Sequence, residues 1–490
     1  MNLSKSRYCR GLQCKKMLWL EQNKPDEKDE LNNEQVLEQG NAVHEVAKYL
    51  FGGHVNIEFS ENLNQMVKDT YITLESYKDV IITEASFNYD NNFCSVDILK
   101  KTGEKYEIYE VKSSTELKDI YIFDASYQYY VLTNLGFNIT KCNIIVINNK
   151  YKRIGNIELD KLFLKQDITN DVINLQATVK EKIKEINEYM KKENEPIDDI
   201  DIKCFKPYPC PFFKYCTKHI PNNNVFDIAN MHNSKKIKLY QEGMYTYHNL
   251  LDSDINDKQR QQIEYELYNK KDYIDKGKIK EFLNTLSYPL YFLDFETFQI
   301  PIPLYDGICP YEQVPFQYSL HYIEKEFGEL KHKEYLSEPD EDPRRILAER
   351  LIKDIPKDTC VLAYNMSFEK SVINKLSLMY PDLSEHLMNI HSNIKDLMIP
   401  FRNREYYNKD MHGSYSIKYV LPALFPNDET LNYKNLELVH NGTEAMNTFK
   451  DLSNLDGEEQ EYTKNRLLKY CELDTYAMVK IYEKLKEISK

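Results

Sequence analysis

Near the middle of the chain an apolar run, Tyr288-Pro-Leu-Tyr-Phe-Leu293, leads directly into Asp294-Phe295-Glu296-Thr297. Successive side chains of an extended strand point to opposite faces, so Asp294 and Glu296 share one face while Phe295 packs behind them. Two carboxylates side by side repel unless a divalent cation lies between them. The same letters also describe an edge strand with two solvated acids, and downstream residues bear on that choice. They are Asn365, Phe368 and Glu369 in Ala-Tyr-Asn-Met-Ser-Phe-Glu, Asp396 in Lys-Asp-Leu-Met, and Tyr470 and Asp474 in Tyr-Cys-Glu-Leu-Asp-Thr. Tyr470 stands one helical turn before Asp474 on the same helix face. From there a phenol can orient an attacking water or help take its proton, with plain packing as the alternative. Phosphodiester cleavage needs an activated water and a stabilised leaving oxygen, and two ions about 3.5–4 Å apart serve both.

On these residues the segment from about 285 to the end resembles the RNase H-like exonucleases of the DEDD superfamily. The resemblance implies that Asp294, Glu296, Glu369 and Asp474 hold two Mg²⁺ or Mn²⁺ ions, with Tyr470 as in the tyrosine-bearing subclass. Glu369 departs from the family's usual Asp. Asp396 resembles a following aspartate of the family, a supporting acid or substitute ligand, and reads equally as a helix N-terminal acid complementing the dipole.

A second constellation lies upstream. Val80 to Tyr89, Phe93 to Lys100 and Lys105 to Lys112 read as three short strands with Asn-Asn and Lys-Thr-Gly turns between them. Asp97 falls on the second strand, and alternation puts Glu110 and Lys112 on one face of the third. A helix from about Asp119 to Leu135 and a strand at Cys142 to Ile147 follow. The order resembles the RecB-like members of the PD-(D/E)xK nucleases, with His44 in Gln-Gly-Asn-Ala-Val-His and Gln128 in Tyr-Gln-Tyr-Tyr matching two further motifs. That resemblance implies that Asp97 and Glu110 bind a metal, His44 assists it, and Lys112 polarises the water or the phosphate. Glu84 reads either as a member of this site or as an exposed strand residue.

Three of the ten cysteines cluster as Cys204, Cys210 and Cys216 beside proline and aromatic residues, and Cys14 opens Cys-Lys-Lys-Met-Leu-Trp-Leu. One cysteine before a nuclease core and three after it resembles the iron-sulfur RecB-like nucleases of the CRISPR-associated and AddB types. The implied group is a 4Fe-4S cluster clamping the two ends of the domain. Spacing leaves a four-cysteine zinc site open. Cys9 is a competing donor, and Cys94, Cys142, Cys309, Cys360 and Cys471 read as small core residues.

The chain of 490 residues has no run approaching a membrane span, and Met-Asn-Leu-Ser-Lys lacks a secretory h-region, so a cytoplasmic protein is expected. Its 64 basic against 78 acidic residues give a net charge of −14, unusual for a nucleic-acid binder. Affinity is therefore expected to be modest, salt-dependent and carried by local lysine patches. The expected α/β architecture is a PD-(D/E)xK domain with its cysteine clamp over 1–220, a helical connector over 221–284 and an RNase H-like domain over 285–490. Within the connector, Asp252-Ser-Asp254 reads as the N-cap region of a polar helix, and the Tyr240 to Leu251 stretch reads otherwise as a nucleic-acid guide. No phosphate-binding glycine loop points to an ATP motor. Met411 to Lys418 and Val420 to Leu424 fit a bacterial two-domain family resembling this layout, whose C-terminal part is a domain of unknown function. Lys418 could touch a phosphate or simply open a helix. The implied activity is nuclease, DNA favoured and RNA possible, with a 3′–5′ exonuclease centre; one silent domain, or an iron-sulfur scaffold that recruits partners to DNA, are the alternatives.

Overall fold

The computed structural model describes residues 3–29 and 34–490 and is mixed α/β with open sheets. The chain forms two units, Met1–His219 with Ile300–Glu312, and Ile220–Gln299 with Gln313–Lys490. This differs from the expected partition in two places. Residues 221–284 do not stand apart as a connector, because Tyr265, Ile279 and Phe282 pack into the second unit's core. Residues 300–312, expected in the C-terminal domain, belong to the first unit, where Ile302 and Tyr311 pack against its core.

The first unit is built on strands β1 (Leu3–Ser4), β2 (Val55–Asn56), β3 (Asp79–Tyr89), β4 (Asn92–Thr102), β5 (Lys105–Lys112), β6 (Ile139–Ile147) and β7 (Phe163–Asp167), in the order β2-β3-β4-β5-β6-β7 with β1 beside β4. Asp90 and Asn91 join β3 to β4 with both φ values positive, as a two-residue hairpin of the I′ type requires. Strands β5 and β6 are parallel, so the chain must cross over between them, and it does so through the helix Asp119–Asn134. That helix buries Tyr127 and Val131 against Phe87, Val96, Ile108 and Ile144 of the sheet. The start and the end of the unit's main segment meet at Gly11, where an added Cβ would lie 2.7 Å from Ile186 Cδ1. Glycine there lets the helices Lys5–Gln13 and Gln176–Met190 approach without displacing the Ile186 side chain.

In the second unit, β8 (Tyr273–Ile274) pairs with β14 (Tyr406–Tyr407), and the main sheet holds β9 (Leu290–Phe298), β10 (Val314–Ile323), β11 (Leu330–Leu336), β12 (Cys360–Ala363) and β13 (Ile394–Asp396) in the order β11-β10-β9-β12-β13. The first three strands are antiparallel; β12 and β13 extend the sheet in parallel. Strand β9 is buried on both faces, which is why it reads as an almost continuous apolar run. Leu293 and Phe295 pack on one side with Leu347, Leu351 and Leu376, from the helices Pro343–Asp354 and Ser367–Met379. Leu290 and Phe292 pack on the other with Met478, Ile481 and Tyr482 of the long helix Gly457–Ile488. Asn256, rather than Asp252 or Asp254, caps the helix Asp257–Leu267, because Gln259 completes a capping box with it.

Candidate metal centres

Alternation along β9 sends Asp294 and Glu296 to the face covered by the helix Gly457–Ile488, and that helix returns Asp474 to meet them. One oxygen of each acid lies within 4.8 Å of the others. Burial, followed by the charge of Asp474, pushes both Asp294 and Glu296 above the usual carboxylate range. Burial also pushes Asp474 up to about 6, against hydrogen bonds from the Tyr433 and Tyr470 hydroxyls and the charge of Lys418. Tyr433 donates to Asp474 Oδ1 at 2.6 Å. Tyr470 is buried one turn away, its phenol raised by burial and then by Asp474. Cys471, expected as plain core, places its Sγ 3.8 Å from Asp294 Oδ2.

Glu369 stands close enough to raise Asp294 but is outside this group of three. It lies in the first turn of Ser367–Met379, 2% exposed, with Oε2 lacking a hydrogen-bond partner. Burial pushes it up to about 8. Asp396 ends β13 and accepts the backbone N–H groups of Asn365 and Met398, both at 3.0 Å. It thereby fixes the turn that launches the Glu369 helix, while Arg402 stands 3.6 Å from its other oxygen. Lys418, Tyr433, His440 and Asn441 line a cleft of about 560 Å³ beside Asp474. Lys258, Lys278, Lys370 and Lys395 line another of about 860 Å³ that reaches Asp396.

In the first unit the structure brings together all five residues expected there. His44 Nε2 lies 3.8 Å from Asp97 Oδ2 and 3.2 Å from the Val111 carbonyl. Asp97 Oδ2 also accepts the Val111 N–H at 2.7 Å. Glu84 joins His44 and Asp97 in a group whose ligand atoms lie within 4.8 Å. It does so by adopting a left-handed φ of 58° within β3, between the paired residues Thr83 and Ala85 and without a change of register, a locally strained backbone that brings its carboxyl to the cluster. Burial and then Asp97 raise Glu84.

Glu110, expected beside Asp97 as a ligand, is 1% exposed and engaged by three donors. Lys5 Nζ reaches its two oxygens at 2.9 and 3.1 Å, Lys112 Nζ at 2.7 Å and Gln128 Nε2 at 2.6 Å. Burial alone would raise Glu110, but Lys112 and Lys5 outweigh it and hold it well below its ordinary value. Lys112 also binds Asp124 Oδ2 at 2.5 Å. Asp124 is pushed up to about 6, first by burial and then by Glu110. Lys5 Nζ lies 3.5 Å from Asp97 Oδ1, so it sits between the two acids.

Cys14, Cys204, Cys210 and Cys216 line one small enclosed cavity with Met17, Leu20 and Phe212. All four are free thiols. Burial raises the Cys210 thiol to about 12, with Cys14, Cys204 and Cys216 adding to it. Cys9 instead faces Asp124 and Lys112.

Lys5, Asp124, Tyr433 and Cys471 were missed from sequence. Asp124 had a signal, since it precedes Gln128 by four residues on one helix face. Lys5 and Tyr433 had none, because each arrives from a separate segment. Among known families, a model described as Domain of unknown function (DUF2779) matches residues 291–416. That span holds Asp294, Glu296, Glu369 and Asp396 but ends before Asp474. No curated protein matches the chain.

Proposed function

We propose that the chain is a metal-dependent nuclease, DNA favoured as substrate, with a 3′–5′ exonuclease centre in the second unit. The observation that carries this reading is the convergence of Asp294, Glu296 and Asp474 within 4.8 Å, at positions where burial and mutual repulsion disfavour their charge. Such a trio is expensive to ionise without a counter-cation. Divalent ions held there by these acids, with Glu369 alongside, would supply an activated water and a stabilised leaving oxygen. Tyr433 fixes the orientation of Asp474 through its hydrogen bond. On this reading Tyr470 orients the incoming water, its phenol oxygen accepting from the water while its O–H donates to Asp474. Lys418, His440 and Asn441 offer cationic and hydrogen-bonding groups to a phosphate backbone in the adjoining cleft. The mixed five-stranded sheet suits the RNase H-like resemblance.

In the first unit Lys112, Asp97, Glu110, His44 and Gln128 suit the RecB-like reading, but Lys5 supports a second one. Its ammonium bridges Asp97 and Glu110, in the place a metal ion would take between them. On that reading the first unit grips nucleic acid and the second cuts it.

The four clustered thiols fit a shared metal group, which would tie the beginning of the first unit to its end. Thiolates around one zinc ion, with bonds of about 2.3 Å, stand roughly 3.8 Å apart. A 4Fe-4S cluster spreads its four thiolates wider than that, and the resemblance to the iron-sulfur RecB-like nucleases favours it over zinc.

The test is end-labelled single-stranded DNA and RNA, incubated with Mn²⁺ or Mg²⁺ and wild type, Asp294→Asn or Lys112→Ala. Loss of stepwise shortening in Asp294→Asn alone is the expected result. Shortening that survives Asp294→Asn, or a wild type with no activity, would sink the exonuclease assignment.

A further inference from the structure

Behind the carboxylate trio, between the sheet and the helix Gly457–Ile488, lies a polar layer that the nuclease reading does not use. Ser319 and His321 of β10, His332 and Glu334 of β11, and Glu472 and Thr475 of the helix meet there. His321 is directly across from His332 in the strand pairing. Their rings stand 4.5 Å apart. His321, His332 and Glu472 each offer a ligand atom within 4.8 Å of the others.

Two features set this cluster apart from a chance meeting of surface side chains. First, each imidazole is oriented through one nitrogen. His321 Nδ1 bonds the Thr475 hydroxyl at 2.8 Å, and His332 Nε2 bonds the Ser319 hydroxyl at 2.9 Å. Those two hydroxyls are themselves linked at 2.7 Å, so one buried pair fixes both rings. Metal-binding histidines are characteristically held in this way through the nitrogen that does not coordinate. Second, two carboxylates accompany the rings. Glu472 Oε1 lies 4.0 Å from His332 Nδ1, and Glu334 Oε2 lies 4.0 Å from His332 Nε2.

We propose that His321, His332 and Glu472 form a binding site for a divalent transition-metal ion of the zinc type. Two imidazoles and one carboxylate are a donor set for zinc rather than for magnesium, which takes oxygen ligands. Ligand atoms bonded to zinc at about 2.0–2.1 Å stand roughly 3.4 Å apart. The ligand atoms now lie within 4.8 Å of one another, and Glu472, whose side chain is 47% exposed, has room to rotate toward the rings. The bound ion would fasten the edge strand β11 to the helix turn that carries Tyr470 and Asp474. This inference does not depend on the carboxylate trio cutting nucleic acid.

Full-length protein, purified anaerobically and stripped of exchangeable metal, is dialysed to equilibrium against micromolar zinc with excess magnesium, and bound zinc is measured by elemental analysis. His332→Ala is expected to hold one zinc ion fewer per chain than wild type, and Asp294→Asn to keep that ion. Equal zinc in wild type and His332→Ala overturns the site, as does a loss confined to Asp294→Asn. Should circular dichroism show His332→Ala to be misfolded, Glu472→Gln replaces it. That substitution is expected to weaken one magnesium-insensitive zinc site by tenfold or more while leaving the thiol-bound ion in place, and a zinc isotherm unchanged from wild type overturns the proposal.

Discussion

Lys5 carries its ammonium to within 2.9 Å of Glu110 and 3.5 Å of Asp97, where it does the electrostatic work of a small cation. Burial would lower its pKa, but Asp97 and Glu110 hold it well above the ordinary value. Replacing it with methionine leaves both acids without that partner. Lys5→Met is therefore expected to lose about 3 kcal/mol in metal-free buffer, the low end for breaking a buried pair, since the side chain keeps 22% exposure. It should then gain more melting temperature from Mn²⁺ than wild type does. Thermal unfolding with and without Mn²⁺ checks this, and equal gains in the two proteins would mean that Lys5 does not compete with metal. At this scale the sequence was readable wherever strand or helix periodicity fixes a neighbour. Asp294 with Glu296, Glu110 with Lys112, and Tyr470 with Asp474 are all of that kind. Lys5 lies 105 residues from Glu110 and Tyr433 lies 41 from Asp474, and no local rule connects such partners.

Among the elements, β9 organises the second unit. It is covered on both faces and sends its acids toward one helix, so its apolar residues determine where those acids sit. Phe292, fully buried against Tyr482, Met478 and the other side chains of that face, tests the point. Phe292→Ala is expected to cost about 3–5 kcal/mol. Chemical denaturation measures it, and a loss below about 1 kcal/mol would show that the site's scaffold lies elsewhere. The strands β3, β4 and β5 were legible to within two residues because turn residues bound them. The helices over 221–284 were harder to place. Their charged composition resembles a solvated linker, while the few apolar residues that join the second core, Tyr265, Ile279 and Phe282, are too sparse to announce it.

Over the whole molecule, acids of opposite tendency give stability a pH dependence of definite sign. Asp294, Glu296, Asp474 and Glu369 all titrate above their ordinary values, the last two at about 6 and about 8. Between about pH 4 and these values the metal-free folded chain binds more protons than the unfolded one, so its stability falls as pH rises. Divalent ions replace those protons. The rise in melting temperature on adding Mg²⁺ should therefore be larger at pH 8 than at pH 5, and a gain independent of pH would count against the assignment. Glu110 acts in the reverse sense, contributing stability above its unfolded value that is lost as the solution is acidified. Neither unit is one continuous stretch of chain. A fragment ending near residue 220 would lack Ile302 and Tyr311, which pack in the first unit, as well as the Tyr311 hydroxyl bond to the Ser113 carbonyl. The cysteine cavity adds a constraint in time. Its donors lie between residues 14 and 216, a span of 216 − 14 = 202 positions. A nascent chain cannot assemble them until residue 216 has left the ribosome. By then all seven strands of the first sheet have emerged, so any group the thiols hold can be loaded only onto a chain whose sheet is already able to close.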